Sequence, residues 1–373
     1  MTEARAAVED LPPMDVAARV VRLRAGFTGA GCEALLVTKL VNIRYLTGFT
    51  GSAALLLVLP DELVFVSDGR YGEQAAEQLA AAGVDARIEI SGTEQQRIVS
   101  GAAGGIRRLG LEADDVTWAA QRRYGSEWFV DSELVATDGL VDNLRAVKDE
   151  GEIARISAAC AVADQALEAV RDRLAVRPTE AEFALGLDTE ICRLGAAGTS
   201  FETIVASGPN GAKPHHRPGG RTVVDGDLVV IDFGALVDGY CSDMTRTVMV
   251  GSITAHQQRM YDVVSASQAA GVAAVGAGVE CRDVDRACRD VIADAGWGAA
   301  FLHGTGHGVG LEIHEAPRVA TTSDATLATG HVVTVEPGVY LPEHGGVRIE
   351  DTVVVTPDGC RTLTRAPKDP LLR

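Results

Sequence analysis

Short apolar runs alternate with a helix-like segment in the first part of the chain. Residues 32–38 (CEALLVT), 53–59 (AALLLVL) and 62–68 (ELVFVSD) are rich in apolar side chains and are bounded by turn residues. This pattern predicts three short strands. Residues 71–83 show helical spacing and end at a glycine, where helix C-caps are common. Because strands alternate with a helix, we predict a small α/β domain and place it at residues 1–143.

A different pattern begins at residues 143–174, where apolar residues at helical spacing among mixed charges predict one long helix. We therefore place the domain junction near residues 140–150 and a second domain at residues 144–373. Periodicity predicts further helices at residues 177–196, 254–275 and 282–295. The first of these three opens with Pro178 and a Thr179-x-x-Glu182 capping box.

Four strand-like segments surround these helices, at residues 227–237, 240–250, 331–337 and 345–356. Runs of strands and helices segregated in this way are typical of an α+β domain with an antiparallel sheet.

A predicted hairpin brings two aspartates of the second domain together. The Asp-Gly pair at residues 238–239 lies between two β-rich runs and is a strong signal for a two-residue turn. This turn places Asp232 opposite Thr245, so that Asp243 is the diagonal neighbour of Asp232 on the same face. Carboxylates this close repel each other and raise one pKa unless a cation lies between them.

More side chains of the metal-ligand type follow in the same domain. Residues 303–315 (HGTGHGVGLEIHE) hold three of the chain's 8 histidines, with glycines at alternate positions that allow the backbone to approach a metal or substrate closely. Glu336 ends a β-branched run, and Glu350 lies in another strand-like segment. A single strand glutamate is normally just solvated. Aspartates, glutamates and a histidine together can surround a pair of divalent cations.

Composition narrows the class of protein. A chain of 373 residues is long enough for two domains, and its net charge of −18 argues against nucleic acid or an anionic membrane as a partner. Seven scattered cysteines without a C-x-x-C pair indicate free thiols in a reducing compartment. The acidic N-terminus (MTEARAAVED) lacks signal-peptide order, and the longest apolar run, residues 53–59, is too short to cross a bilayer. We therefore expect a cytoplasmic protein.

Six ordered motifs carry a family resemblance: VASGPNGAKPHHRP, VIDFG, SDMTRT, HGTGHGVGLEIHE, TVEPGVY and VRIED. In this order they resemble the "pita-bread" metallopeptidases, specifically the branch of Xaa-Pro aminopeptidases and prolidases (Xaa-Pro dipeptidases). NIRYLTGFTGS (42–52) and FVSDGRY (65–71) are similar to the N-terminal domain of that branch. The resemblance implies a C-terminal pita-bread catalytic domain of the α+β class behind an N-terminal α/β creatinase-like domain. It also implies a homodimer.

The resemblance implies a ligand set for two divalent metal ions: Asp232, Asp243, His307, Glu336 and Glu350. A mostly oxygen shell with one imidazole suits Mn²⁺ or Co²⁺ better than a thiolate-bound structural zinc. Four carboxylates around two divalent ions are formally neutral, so part of the chain's negative charge would be matched internally.

Other residues acquire roles from the same resemblance. His215 and His314 contact the substrate and donate to the tetrahedral intermediate, although the doubled histidine leaves His216 open as the alternative to His215. His303 lies near the site, as a substrate-binding or a supporting residue. Arg348 alternates onto the same strand face as Glu350, and we expect it to orient carboxylates or substrate. His314 is at an odd offset from His307, so a bend is needed before both can face one cavity.

The implied reaction is hydrolysis of the Xaa-Pro bond in proline-containing dipeptides or longer peptides, which releases the N-terminal residue. A hydroxide that bridges the ions attacks the carbonyl, and Glu336 is the proton acceptor. Two alternatives remain open: a creatinase-like hydrolase of a small non-peptide C–N bond, and a non-catalytic binding protein on the same fold. The sequence leaves dipeptidase and aminopeptidase preference undecided, and also the native metal.

Overall fold

A computed structural model describes residue 8 and residues 11–372 of the chain. The chain divides into two compact units, one of Met14–Arg145 and the other of Ala146–Arg373 with Met1–Pro13. We predicted from the N-terminal stretch MTEARAAVED that a signal peptide is lacking. Except for residue 8, this stretch lies outside the described residues. None of the described helices is long and apolar enough to span a bilayer.

The unit Met14–Arg145 is built on a six-stranded mixed sheet in the order β4-β3-β2-β1-β5-β6. Its strands are β1 (Ala34–Val37), β2 (Ala54–Val58), β3 (Leu63–Ser67), β4 (Arg87–Ile90), β5 (Arg108–Glu112) and β6 (Glu133–Thr137). Its helices are α1 (Ala17–Ala30), α2 (Leu40–Thr47), α3 (Gly72–Ala81), α4 (Gln95–Ala102) and α5 (Trp118–Arg123). A sixth helix, α6 (Leu140–Ala146), contains Arg145, the last residue of the unit. The three strands and the helix predicted for residues 32–83 are confirmed as β1, β2, β3 and α3.

The second unit contains four long helices and thirteen strands within the described residues. The helices are α7 (Glu150–Val170), α8 (Glu180–Arg193), α9 (Ala255–Ala274) and α10 (Cys281–Asp294). The strands up to the hairpin are β7 (Gly198–Thr199), β8 (Ile204–Ser207), β9 (Leu228–Phe233), β10 (Ala235–Val237), β11 (Tyr240–Cys241) and β12 (Met244–Met249). The remaining strands are β13 (Gly306–Gly308), β14 (Glu315–Val319), β15 (Val332–Val335), β16 (Gly338–Leu341), β17 (Gly345–Arg348), β18 (Asp351–Thr356) and β19 (Gly359–Thr362).

All ladders between the named strands of this unit are antiparallel, as predicted. The sheets run in the orders β11-β10-β7, β12-β9-β8 and β14-β13-β15-β18-β19, with β16 and β17 as a separate pair. One apolar core joins α7 and α8 to β9 and β12, and a second joins α9 and α10 to β15 and β18. Burial on both sides explains why β9 and β15 are almost continuous apolar runs.

The predicted continuous helix over residues 143–174 was wrong. Asp149 instead starts a new helix, because its side chain accepts a hydrogen bond from the backbone of Glu152 while Glu152 bonds back to the Asp149 N–H. The predicted capping box of Thr179 and Glu182 is confirmed at the start of α8. Val147, between α6 and α7, forms a bridge to His331.

Candidate metal centre

The hairpin around residues 238–239 has the predicted register. Val237 pairs with Tyr240, and Asp232 pairs with Thr245. Asp238 and Gly239 both have positive φ, 43° and 76°, as a two-residue turn of this kind requires. Asp243 lies in the break between β11 and β12 and is buried.

The structure brings all five predicted ligand side chains into one cluster. Asp243, His307 and Glu350 each offer one ligand atom, and these atoms lie within 4.8 Å of one another. The Nε2 atom of His307 is 3.5 Å from Oδ2 of Asp243 and 3.4 Å from Oε1 of Glu336. Asp232 is close enough for its charge to raise the pKa of Asp243 and Glu350. The assignment of these residues as ligands stays a prediction.

His307 presents an unprotonated nitrogen to the carboxylates. Its Nδ1 donates to the carbonyl of Gly308 at 3.0 Å, and burial lowers the pKa of the ring to about 4. Nε2 therefore carries a lone pair, in the form that binds metal ions. Nε2 and two carboxyl oxygens thus face one another at 3.4–3.5 Å, an arrangement in which one cation can bind all three atoms.

Two buried carboxylate oxygens have no hydrogen-bond partner among the described residues. Asp232 accepts from Arg348 Nη2 on Oδ2 at 2.6 Å, while its Oδ1 is unpaired. Glu350 accepts from Thr245 Oγ1 on Oε2 at 2.7 Å, while its Oε1 is unpaired. Buried polar atoms are nearly always paired in proteins. In Asp232 and in Glu350, one carboxylate oxygen is thus held by a hydrogen bond and the other is available to a further ligand. This arrangement fits a divalent cation.

Electrostatics lead to the same conclusion. Burial raises the pKa of Glu336 to about 8. Burial, together with the charges of neighbouring carboxylates, raises the pKa of both Asp243 and Glu350. Cations bound here would remove this penalty and leave the carboxylates ionised.

A chain of hydrogen bonds runs from His303 to Asp232 and supports the cluster. The sequence did not predict it. Nδ1 of His303 donates to the carbonyl of Gly304 at 2.8 Å, and burial lowers the pKa of the ring to about 4. Its Nε2 therefore accepts from the Tyr340 hydroxyl at 2.8 Å. Tyr340 accepts in turn from Arg348 Nη1 at 2.8 Å, and Arg348 reaches Asp232. Since both ring nitrogens of His303 are engaged, its contacts are those of a supporting residue.

Arg348 is buried, and its contacts favour one of its two predicted roles. Besides Asp232 and Tyr340, its guanidinium donates to Thr245 Oγ1 at 3.0 Å and to the carbonyl of Pro214 at 3.4 Å. These contacts orient carboxylates and neighbouring loops. Tyr340 lies in the TVEPGVY motif four residues after Glu336, but nothing in that spacing indicated a partner 37 residues away.

The remaining predicted site histidines lie at the edge of the cluster. The rings of His314 and His307 are 4.4 Å apart, centroid to centroid, because residues 310–314 bend as their odd offset required. His215 is exposed and close enough for its charge to lower the pKa of His303 and His314. Its neighbour His216 instead bonds to the buried carboxylate of Glu180 at 2.8 Å.

The glycines on either side of His307 allow close packing against neighbouring strands, and not the expected close approach to a metal or substrate. A Cβ on Gly306 would lie 2.0 Å from the carbonyl oxygen of Thr334, and one on Gly308 would lie 2.2 Å from that of Ala316. These glycines therefore let β13 pack closely between β14 and β15. The close approach is to backbone, whereas the sequence had suggested a metal or substrate.

The loop that carries His314 is tied down by a buried ion pair. Nζ of Lys148 lies 2.9 Å from Oε2 of Glu315, and the two side chains are only 1% and 5% exposed. Oε1 of Glu315 accepts from the backbone N–H of Glu312 at 3.0 Å. Replacing Lys148 by methionine would leave the Glu315 charge buried without this partner.

We expect Lys148→Met to lower the free energy of unfolding by about 3–5 kcal/mol, because the removal of one partner from a buried ion pair is strongly destabilising. Urea denaturation of the variant and of the double variant Lys148→Met, Glu315→Leu measures this. The double variant should recover much of the loss. An unchanged midpoint in the single variant would contradict the expectation.

Comparisons with known proteins agree with this geometry. Residues 154–357 match metallopeptidase family M24, and residues 19–147 match the creatinase/prolidase N-terminal domain. The Xaa-Pro dipeptidase of Pyrococcus horikoshii is 34% identical over 347 residues, which cover 90% of this chain and 94% of that protein. The two family matches confirm the predicted pairing of domains, and the similarity to an Xaa-Pro dipeptidase confirms the predicted family branch.

Solved structures give the same result. An Xaa-Pro dipeptidase from Bacillus anthracis is 38% identical with a TM-score of 0.91, over 95% of this chain and 99% of that chain. An X-Pro aminopeptidase from Thermotoga maritima is 33% identical with a TM-score of 0.84, over 91% and 97%. The predicted pita-bread fold with a creatinase-like N-terminal domain is thereby confirmed. The chain belongs to metallopeptidase family M24, whose members are enzymes that depend on divalent metal ions.

Proposed function

We propose that this metallopeptidase hydrolyses the bond between an N-terminal residue and proline, in dipeptides or longer peptides. The observation that carries the proposal is the cluster of Asp243, Glu336 and Glu350 around the unprotonated nitrogen of His307, with Asp232 near enough to act on two of them electrostatically. Two carboxylate oxygens of this cluster are buried and unpaired among the described residues. The relatives whose names specify Xaa-Pro substrates support the choice of bond.

The ligands we propose for two divalent ions, Mn²⁺ or Co²⁺, are Asp232, Asp243, His307, Glu336 and Glu350. Divalent ions at such a site supply an acidified water and polarise the scissile carbonyl. The donor set of carboxylate oxygens and one imidazole suits these metals.

Glu336 is the proposed proton acceptor. Its carboxylate lies beside His307, and Thr334 Oγ1 donates to its Oε1 at 3.3 Å. Its backbone N–H donates to the carbonyl of Thr305 at 2.8 Å, which fixes the residue after β15. From this position Glu336 takes a proton from the attacking water and passes it to the leaving nitrogen.

His215 and His314 are the proposed donors to the oxygen of the tetrahedral intermediate. Both lie at the exposed edge of the cluster, where a substrate carbonyl can enter. His215 is preferred to His216, because Glu180 engages the His216 ring. Preorganised donors of this kind stabilise developing negative charge.

Proline is the proposed second residue because its amide has no N–H and its ring fixes the local backbone. A peptidase that requires this hydrogen cannot process such a bond. A creatinase-like activity is the second candidate, but creatinases do not keep the full set of five ligand side chains that this chain has.

An assay of three substrates tests the proposal. With Mn²⁺ we expect an Xaa-Pro dipeptide or an Xaa-Pro-Yaa tripeptide to be cleaved at least about 10-fold faster than the matched Xaa-Ala peptide. The ratio of the two proline substrates separates dipeptidase from aminopeptidase. Creatine hydrolysis without peptide hydrolysis would favour the second candidate, and no turnover of any substrate would remove both.

The homodimer, the cytoplasmic location and the domain limits 1–143 and 144–373 stay predictions. Light scattering of the purified protein measures its mass in solution and tests the first of these.

A further inference from the structure

One buried carboxylate outside the metal cluster collects an unusual number of hydrogen bonds from a single segment. Glu180, in the first turn of α8, is fully buried. Its Oε1 accepts from the backbone N–H and the hydroxyl of Ser207 at 2.8 and 2.7 Å, and from Asn210 Nδ2 at 3.0 Å. Its Oε2 bonds to His216 Nε2 at 2.8 Å and accepts from the backbone N–H of Gly219 at 3.2 Å. All five donors belong to residues 207–219, the segment that carries His215.

This segment is also held on the side of the metal cluster. The carbonyl of Pro214 accepts from Arg348 Nη1 at 3.4 Å, and Arg348 bonds to Asp232 at 2.6 Å. His215, between these two attachments, lies close enough to His303 and His314 to influence both electrostatically. The segment thus runs between Glu180 on one side and the proposed site on the other.

Loss of the Glu180 carboxylate would release several of these bonds together. Burial tends to raise the pKa of Glu180, but the hydrogen bonds from Asn210, Ser207 and His216 outweigh it and hold the pKa below its ordinary value. Glu180 is therefore ionised at neutral pH and acts as an acceptor for every donor around it. Charge-assisted hydrogen bonds of this kind are stronger than neutral ones, and a buried donor left unpaired costs about 1–3 kcal/mol.

We propose that Glu180 is a positioning residue, which holds the segment of residues 207–219 through His216 so that His215 faces the substrate. The inference rests on the proposed role of His215. Glu180 itself lies beneath the segment and does not reach the reacting atoms. Because transition-state stabilisation depends on the position of a donor to within about 1 Å, a loosened segment would weaken catalysis while the metal ligands stay in place.

A double-mutant cycle tests the proposal. We expect Glu180→Gln to lower kcat/KM by about 10- to 100-fold, with kcat carrying most of the loss and with bound metal unchanged. In a His215→Ala background the same change should have almost no further effect, because coupled residues are non-additive. Glu182→Gln is the matched control. It changes an exposed glutamate of the same helix to a residue that also serves in a capping box.

A milder pair of variants covers the case in which Glu180→Gln does not fold. His216→Gln keeps an N–H donor for Glu180, whereas His216→Leu removes it. We expect His216→Leu to reproduce the loss of kcat/KM and His216→Gln to recover most of the activity. Hydrogen exchange of the Ser207 and Gly219 amides should accelerate in Glu180→Gln and His216→Leu only.

Distinct outcomes overturn the proposal. Equal losses from Glu180→Gln with and without His215, or unchanged activity in Glu180→Gln and His216→Leu, would contradict a positioning role. If the unaltered enzyme does not cleave Xaa-Pro peptides, the proposed function fails. In that case unchanged exchange of the two amides in Glu180→Gln would show separately that Glu180 does not hold the segment.

Discussion

Replacement of Glu336 by glutamine is expected to lower kcat by about a thousandfold, the middle of the range that general acid–base catalysis supplies. Glutamine has nearly the same size and can still accept the hydrogen bond from Thr334 Oγ1, but it cannot take up a proton. Steady-state kinetics with an Xaa-Pro substrate, together with metal analysis of the same samples, measures the effect.

The control for this variant is Glu343→Gln, which changes an exposed glutamate in the turn between β16 and β17. This control should retain full activity. If Glu336→Gln keeps its activity with metal still bound, Glu336 is not the proton acceptor. If the variant loses metal as well as activity, the loss of activity is due to the loss of Glu336 as a metal ligand. Its part in proton transfer is then measured by an assay at saturating metal.

Removal of metal is expected to abolish activity and to make the stability of the protein depend strongly on pH. Burial raises the pKa of Glu336 from its ordinary value of 4.5 to about 8, and the pKa values of Asp243 and Glu350 also rise. A carboxyl group with a raised folded-state pKa favours the folded state only while it stays protonated. The chelated protein should therefore lose stability as pH increases through this interval, by on the order of 3–5 kcal/mol between about pH 5 and about pH 9.

Urea denaturation of the chelated protein at several pH values measures this loss. Added Mn²⁺ at high pH should restore stability, by about 2.7 kcal/mol at a hundredfold excess over its Kd, and binding should release protons. Glu336→Gln lacks one of the titrating groups, so the slope of its metal-free stability against pH should be smaller. A metal-free protein equally stable at both ends of this range would contradict the account of the cluster.

Much of the catalytic half could be predicted because its signals are local. The Asp-Gly pair at residues 238–239 dictates a two-residue turn, and the turn alone sets Asp232 opposite Thr245. Capping residues likewise marked the start of α8. A local signal also accounts for the error over residues 143–174, because the Asp149 capping box starts a new helix within an otherwise continuous helical pattern.

Other features depend on partners that are distant along the chain. Lys148 and Glu315 are 167 residues apart, and Glu180 and His216 are 36 apart. In the sequence, each of these side chains resembles an ordinary surface residue. Their burial as pairs follows from the packing of whole elements, which periodicity does not encode.

The chain alone thus determined the strands β1–β3, the helices α3, α8, α9 and α10, the register of the aspartate hairpin and the residue types available for a metal site. These follow from turn chemistry, capping and side-chain periodicity, which act between near neighbours. Only the tertiary structure decided which oxygen of Asp232 and Glu350 is anchored, that His303 supports Tyr340, and that His216 turns to Glu180 while His215 stays at the exposed edge of the cluster. Those choices are made by burial, since an unpaired polar group in the interior costs more than a hydrogen bond gains and each side chain must find the partner that packing places beside it.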